Sequence, residues 1–198
     1  MRINSGGEKL VTDELLVIKV LSGEREAFDI LIKKYQGIIY NYIFKTTLSK
    51  EDSEDIIQEV FIKAYENLYR LESKDKFYSW IFKITVNTMN THLKRKKHYT
   101  SVEDEIFLNI QCETKNTPEA ILEIKEDNVE LLNKLSVLSD EQKHAMILKY
   151  VQGFTNKEIG EILGIKEETV KTKLFRAKKK LFQLNKKMFN KGGVANEM

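Results

Sequence analysis

One proline in 198 residues, Pro118, is the strongest constraint on what this chain can fold into. Proline ends or kinks a helix. A chain with one proline and only nine glycines can therefore run long helices with few breaks. The spacing of the apolar residues points the same way. From Glu26 to Thr46, Phe28, Leu31, Ile32, Tyr35, Ile39, Tyr42 and Ile43 recur near the 3.6-residue period. Before them, Thr12 is placed to cap a helix with Asp13 and Glu14 in its first turn, apolar at Leu15, Leu16, Val20 and Leu21 and ended by Ser22-Gly23. A third helix begins near Ser49, with Glu51, Asp52, Glu54 and Asp55 early and a stripe of Ile56, Val60 and Ala64 flanked by Ile57 and Phe61. A fourth runs from about Lys76 to Lys97, with Phe77, Ile81, Ile84 and Thr88 on its core side and the basic run Lys94-Arg95-Lys96-Lys97 at its end.

Around the proline the pattern changes. His98 to Asn116 is acidic and only weakly periodic, which reads as a linker. Thr117-Pro118-Glu119 then restarts helix, with a threonine cap and proline at the first helical position. Helices are predicted at 119–134, 140–151, 156–163 and 167–190. No strand pattern or repeat is present. The fold class is all-α: two small helical domains, residues 11–98 and 118–190, joined by a flexible acidic linker at 99–117. Residues 1–10 are expected to be disordered, and 191–198 to form a flexible tail.

The net charge of +3 conceals an asymmetry. Ser101 to Asp127 holds eight acids against two lysines, whereas Lys166 to Lys191 holds nine lysines and one arginine against two glutamates. The basic stretch suits a polyanion. Cys112 is the only cysteine, so no intrachain disulfide forms, in keeping with a reducing cytoplasm. The start lacks the apolar core of a signal peptide, and nowhere do 18 apolar residues run together.

The second domain carries the clearest motif. Ser139-x-x-Gln142 and Thr155-x-x-Glu158 are capping boxes that open two successive helices. Gly164 and Ile165 form a tight turn, and Gly160 and Gly164 supply a close helix approach and a left-handed residue. The next helix turns Val170, Leu174, Ala177 and Leu181 to one side and Lys171, Lys173, Arg176, Lys178, Lys179 and Lys180 to the others. Two helices joined by a short glycine turn, the second basic, read as a helix-turn-helix. A helix lying in the major groove needs donors for phosphates and base edges on its exposed face. The alternative is a three-helix bundle with a lysine-rich solvated face.

In the first domain, Asp55, Gln58 and Glu59 lie beside the apolar stripe of the third helix. The fourth combines Phe77, Tyr78 and Trp80 with Asn87, Asn90 and a basic end. Aromatics beside cations suit single-stranded nucleic acid, through stacking and phosphate pairing. The competing readings are plain: acids at a helix start favour its dipole, and aromatics at helical spacing, Phe77 and Trp80 here, belong to a core.

Three stretches resemble a known family. EDSEDIIQEVFIKAYENL resembles the polymerase-binding segment, region 2.2, of sigma factors. KFYSWIFKITVNTMNTHLKRKK resembles the promoter-melting and −10 recognition segment of the extracytoplasmic function (ECF) group. LSDEQKHAMILKYVQGFTNKEIGEILGIKEETVKTKLFRAKKKL resembles region 4, the reader of the −35 element. They occur in the family's order and cover the chain from Thr12 to about Leu184.

The resemblance implies a transcription initiation factor that binds core RNA polymerase and promoter DNA and catalyses nothing. It implies that Asp55, Gln58 and Glu59 face the β′ clamp helices, with the β flap a further polymerase contact. Asn87 stands in the place that helps capture a flipped −10 base, bordered by Phe77, Tyr78 and the loop 73–76, with Lys94 and Arg95 as further −10 contacts. Lys171, Thr172, Lys173, Phe175, Arg176, Lys178 and Lys179 match the −35-reading face. An anti-sigma factor, in many members anchored in a membrane, is an implied partner; no cofactor or metal is called for, and the expected location is the cytoplasm. Three positions depart from the usual pattern: Thr91 where many members carry aspartate, Gly160 where many carry alanine, and Lys166 where a small polar residue opens the recognition helix. The rivals are an ordinary helix-turn-helix repressor or activator, which needs no polymerase-binding helix, and an enzyme. The enzyme has no P-loop, nucleophile elbow or metal-ligand cluster to rest on, with His92, His98 and His144 scattered.

Overall fold

A computed structural model describes residues 11–103, 135 and 137–192, with side chains described up to Lys96 in the first stretch and Lys186 in the last. Among the described residues all regular structure is helical, and the chain divides into two compact units between Lys96 and Lys97.

The first unit is built from α1 (Asp13–Leu21), α2 (Glu26–Thr47), α3 (Lys50–Asn67), two single 3₁₀ turns (Leu68–Arg70 and Lys74–Lys76) and the start of α4 (Phe77–Glu103). Thr12 caps α1 by accepting the Leu15 N–H, and Ser49 caps α3 by accepting that of Asp52 at 3.2 Å. Both caps occupy the predicted positions. Each helix then buries the stripe its sequence marks. Leu31, Tyr35, Ile39, Tyr42 and Ile43 of α2, Ile56, Val60 and Ala64 of α3, and Phe77, Ile81, Phe82, Val86 and Met89 of α4 are buried, with Tyr35 on Phe77 and Tyr42 on Phe82. Asp13 fastens α1 to α2, accepting hydrogen bonds from the Tyr35 hydroxyl and, at 2.6 Å, from Lys34 Nζ.

Three details differ from the sequence reading. In α1 the buried pair is Leu16 and Val17, while Leu15 and Leu21 face solvent, because the helix lays only a narrow face on its neighbours. In α4 the core side is Phe77, Ile81, Thr85, Thr88 and Met89, with Ile84 at its margin; Thr85 satisfies its hydroxyl on Ile81 O at 2.8 Å. The helix also continues to Glu103 instead of yielding to linker after His98, since neither glycine nor proline intervenes. The predicted helix at 119–134, the rest of the linker, residues 1–10 and residues 193–198 of the expected tail lie outside the described residues, while Lys191 and Gly192 continue the last helix.

The second unit contains α5 (Asp140–Tyr150), α6 (Asn156–Leu163) and α7 (Glu167–Gly192). Both predicted capping boxes are formed: Gln142 accepts the Ser139 N–H at 3.2 Å, and Glu158 accepts that of Thr155 at 2.8 Å. The core is Leu138, Ala145, Ile147, Leu148, Phe154, Ile159, Ile162, Val170, Leu174 and Ala177. No described helix is long and apolar enough to cross a membrane.

Candidate nucleic-acid and polymerase interfaces

In the second unit the functional surface begins at the turn between α6 and α7. Gly164 adopts φ 67°, ψ 33°, a left-handed conformation that costs a residue with a Cβ about 1–2 kcal/mol. Its role there follows directly from the turn. Lys166 heads α7 with its backbone carbonyl alone, accepting from Thr169 and Val170 N–H, and Glu167 and Glu168 supply the negative charge that favours a helix start.

Val170, Leu174 and Ala177 of α7 are buried, which turns Lys171, Thr172, Phe175, Arg176, Lys178 and Lys179 to solvent. They are not equally available. Lys171 pairs with Glu167 at 3.0 Å. The Thr172 hydroxyl donates to Glu168 O at 2.9 Å. Lys178 places its ammonium 5.1 Å from the centre of the Tyr150 ring. Lys173 turns away from the exposed face and pairs with Glu141 of α5, so in this structure it ties two helices together. Arg176 has no ion-pair partner among the described residues, and Phe175 is 68% exposed. A bare phenylalanine beside an unpaired guanidinium gives one helix face both an apolar contact and a bidentate donor.

In the first unit, Asp55 and Gln58 are exposed on α3. Glu59, on the same face, is partly covered and pairs with Lys63 at 2.7 Å, and Lys63 also donates to Thr88 Oγ1 of α4 at 3.3 Å. The predicted polymerase-facing trio is therefore brought together, with its third member joined to the α3–α4 seam.

Asn87, Lys94 and Arg95 are exposed on α4. Phe77 is not. Its ring is wholly buried, 5.6 Å from Tyr35 and 5.9 Å from Trp80, so it presents no surface to a strand and belongs to the core, as its helical spacing allowed. Tyr78 is half-buried, stacked on Tyr35 at 5.4 Å and edge-on to Phe82 at 5.1 Å; burial raises its hydroxyl pKa.

Sequence reasoning missed one group. Asp52, counted among the acids of an exposed helix start, is 8% exposed. Its carboxylate accepts from Lys96 Nζ at 2.9 and 3.0 Å and meets His92 Nε2 at 3.1 Å. Burial alone would raise its pKa, but the bonds from Lys96, His92 and Ser49 outweigh it and hold it below the usual aspartate value. Its partners lie 40 and 44 residues downstream, beyond any local pattern.

A helical unit with an acidic patch and an exposed asparagine, together with a unit of helix-turn-helix form presenting a basic helix, is the arrangement of a two-module protein suited to DNA. Comparison with known families narrows this. Residues 31–99 match "Sigma-70 region 2" and residues 128–181 match "Sigma-70, region 4". The chain is 28% identical over 180 residues to an ECF RNA polymerase sigma-E factor of Haemophilus influenzae, covering 85% of this chain and 93% of that protein. It is 28% identical over 169 residues to the ECF RNA polymerase sigma factor SigW of Bacillus subtilis, covering 81% and 90%. The fold is similar to that of the sigma factor RpoE of Bartonella quintana, solved in complex with the anti-sigma factor NepR, with a TM-score of 0.66, 20% identity and coverage of 80% of this chain and 96% of that one. The chain belongs to the sigma-70 family, as an RNA polymerase sigma factor of the ECF group.

Proposed function

We propose that the two units read the two promoter elements in different states of the DNA: α7 reads the −35 element as duplex, and α4 reads the −10 element as melted non-template strand. The observation that carries this is the contrast between the two exposed faces. On α7 cations surround Arg176 along an uninterrupted helix, the arrangement a major groove and its flanking phosphates require. On α4 an exposed amide at Asn87 lies between a half-buried tyrosine and two cations at Lys94 and Arg95. A neutral amide reads a base edge, and the cations hold its phosphates. Extruding one base costs a few kcal/mol, which pocket contacts must offset.

Asp55, Gln58 and Glu59 face the clamp helices of the β′ subunit, and the second unit meets the β flap. An anti-sigma factor occupies these surfaces when transcription is off; the crystallised complex of the Bartonella relative supports that partner class. The protein works in the cytoplasm and catalyses no reaction of its own. The test is run-off transcription on genomic fragments with purified core polymerase, followed by mapping of the starts. Discrete starts preceded by a common −35 and −10 pair are expected only when the protein is added. Starts spread at random, with no shared upstream sequence, would sink the proposal.

A further inference from the structure

We propose that Asp52 is a positioning residue for promoter contact: it grips His92 and Lys96 and thereby fixes the basic end of α4, from which Lys94 and Arg95 reach DNA phosphate. Met89 is the last buried residue of α4 among those whose side chains are described. From Asn90 to Lys96 no residue is buried, although His92 and Leu93 are partly covered. Over these two turns Leu93 is the partly covered apolar residue, and the polar hold on α3 runs through one carboxylate.

The geometry sets the rotation of the helix. His92 and Lys96 are four residues apart and share one face, and both meet Asp52: His92 Nε2 at 3.1 Å from Oδ1, Lys96 Nζ at 2.9 Å from Oδ2. Lys94 and Arg95 lie about 200° and 300° further round from His92 and are exposed. A solvated acid would serve the dipole of α3 equally well. Asp52 is instead nearly buried, at a desolvation cost that its three side-chain bonds offset. Lys63 and Thr88 make a second polar link across the same seam, one turn before His92 and two before Lys96, where Thr88 lies between buried Val86 and Met89.

This inference rests on the reading of Lys94 and Arg95 as phosphate contacts, and the experiment separates the two. Holoenzymes are reconstituted from core polymerase and wild type, Asp52→Asn, His92→Ala, Lys63→Met or the double variant Lys94→Ala/Arg95→Ala. Open-complex formation on the promoter mapped by run-off transcription is followed against salt concentration. Each lost contact to a single-strand phosphate lowers the log–log slope by about 0.7. The double variant is expected to lose about 1.4 units, and Asp52→Asn about 0.7, with core affinity unchanged. His92→Ala removes one leg of the grip from the other helix, keeps the question answerable if Asp52→Asn does not fold, and should lower the slope in the same direction. Lys63→Met loosens the seam elsewhere and should leave the slope alone. Wild-type slopes for Asp52→Asn and His92→Ala, beside a flattened slope for the double variant, would overturn the positioning role. So would a flattened slope for Lys63→Met, or a loss of core affinity in Asp52→Asn that matches its promoter defect. A wild-type slope for the double variant would overturn the phosphate reading of the basic end, and the inference with it.

Discussion

A Cβ placed on Gly160 would lie 2.7 Å from the carbonyl oxygen of Ile165, closer than side chains approach backbone. The same two residues are joined in the other direction, with the Ile165 N–H donating to Gly160 O at 3.0 Å. The turn that launches α7 is thus folded down onto α6 at a point where only glycine fits. Gly160→Ala is expected to cost about 2 kcal/mol, the usual scale of overpacking, and to weaken −35 binding by moving α7. Gly37, mid-helix in α2 with nothing within 4 Å of its Cβ position, is the control. There alanine should stabilise the first unit by about 0.5–1 kcal/mol. Denaturant melts of both variants decide it, and a stabilised Gly160→Ala would show that the turn yields freely.

Much of this fold was legible because its signals are local. The capping pairs Ser139 with Gln142 and Thr155 with Glu158 mark helix starts in sequence and are formed as read. Leu174 and Ala177 follow a period and are buried as the period requires. What could not be read depends on contacts between distant helices. The partners of Asp52 lie on another helix, Lys173 is turned from the exposed face of α7 by Glu141, 32 residues away, and Phe77 is buried against Tyr35 from α2. Residue type announces a capability, and only packing decides whether the group is free to use it.

His144 makes the second unit acid-sensitive. It is buried on α5, and burial, outweighing the opposing charges of Asp140 and Glu141 and helped slightly by Lys143, lowers its pKa to about 4 from an ordinary 6.5. As pH falls below 6.5 the unfolded chain takes up the proton first, so stability contributed by the neutral imidazole is present above pH 6.5 and is lost as pH falls towards 4. At pH 5 the loss is about 2 kcal/mol. Urea melts at pH 7.5 and 5 should show it in wild type and not in His144→Leu. Equal pH dependence in the two would mean that another group is responsible.

The polymerase surface should divide into two kinds of residue. Asp55 is exposed and away from the seam, so Asp55→Lys is expected to abolish core binding with helicity and melting temperature unchanged. Glu59 neutralises Lys63, which in turn reaches Thr88, so Glu59→Lys sets two cations side by side and should lower stability as well as core affinity. Circular dichroism melts and co-purification with core polymerase read both effects. Undiminished co-purification of Asp55→Lys would remove this face from the interface.

Asn87 is exposed on α4 between buried Val86 and Thr88. Asn87→Ala removes an amide that no packing needs, so folding, core binding and −35 duplex binding should be unchanged. Open-complex formation should fall, with relaxed preference at one −10 position. The measurement is open-complex yield on a set of −10 variants, each differing at one base. Identical yield and preference in wild type and variant would leave Asn87 an ordinary solvent-exposed residue.

On α7 the structure separates a residue suited to reading bases from residues suited to holding phosphates. Arg176 is exposed and without an ion-pair partner among the described residues, and a guanidinium donates two parallel hydrogen bonds to a guanine edge. Arg176→Ala should therefore cost about 1–3 kcal/mol on the correct −35 duplex and much less on a mismatched one. Lys179, two turns beyond Lys171, is a flexible point charge; Lys179→Ala should weaken matched and mismatched duplexes alike and flatten the salt dependence by about one unit of slope. Lys178 starts from a different state, since its ammonium lies over the Tyr150 ring and must leave it to meet a phosphate. Its removal should change the slope less than that of Lys179, and Tyr150→Leu should bring the two lysines closer to equal. Titrations of each variant against matched and mismatched duplexes at several salt concentrations give all four quantities. Equal weakening of both duplexes by Arg176→Ala would place that side chain on phosphate, and leave base reading on this helix to Phe175 and its neighbours.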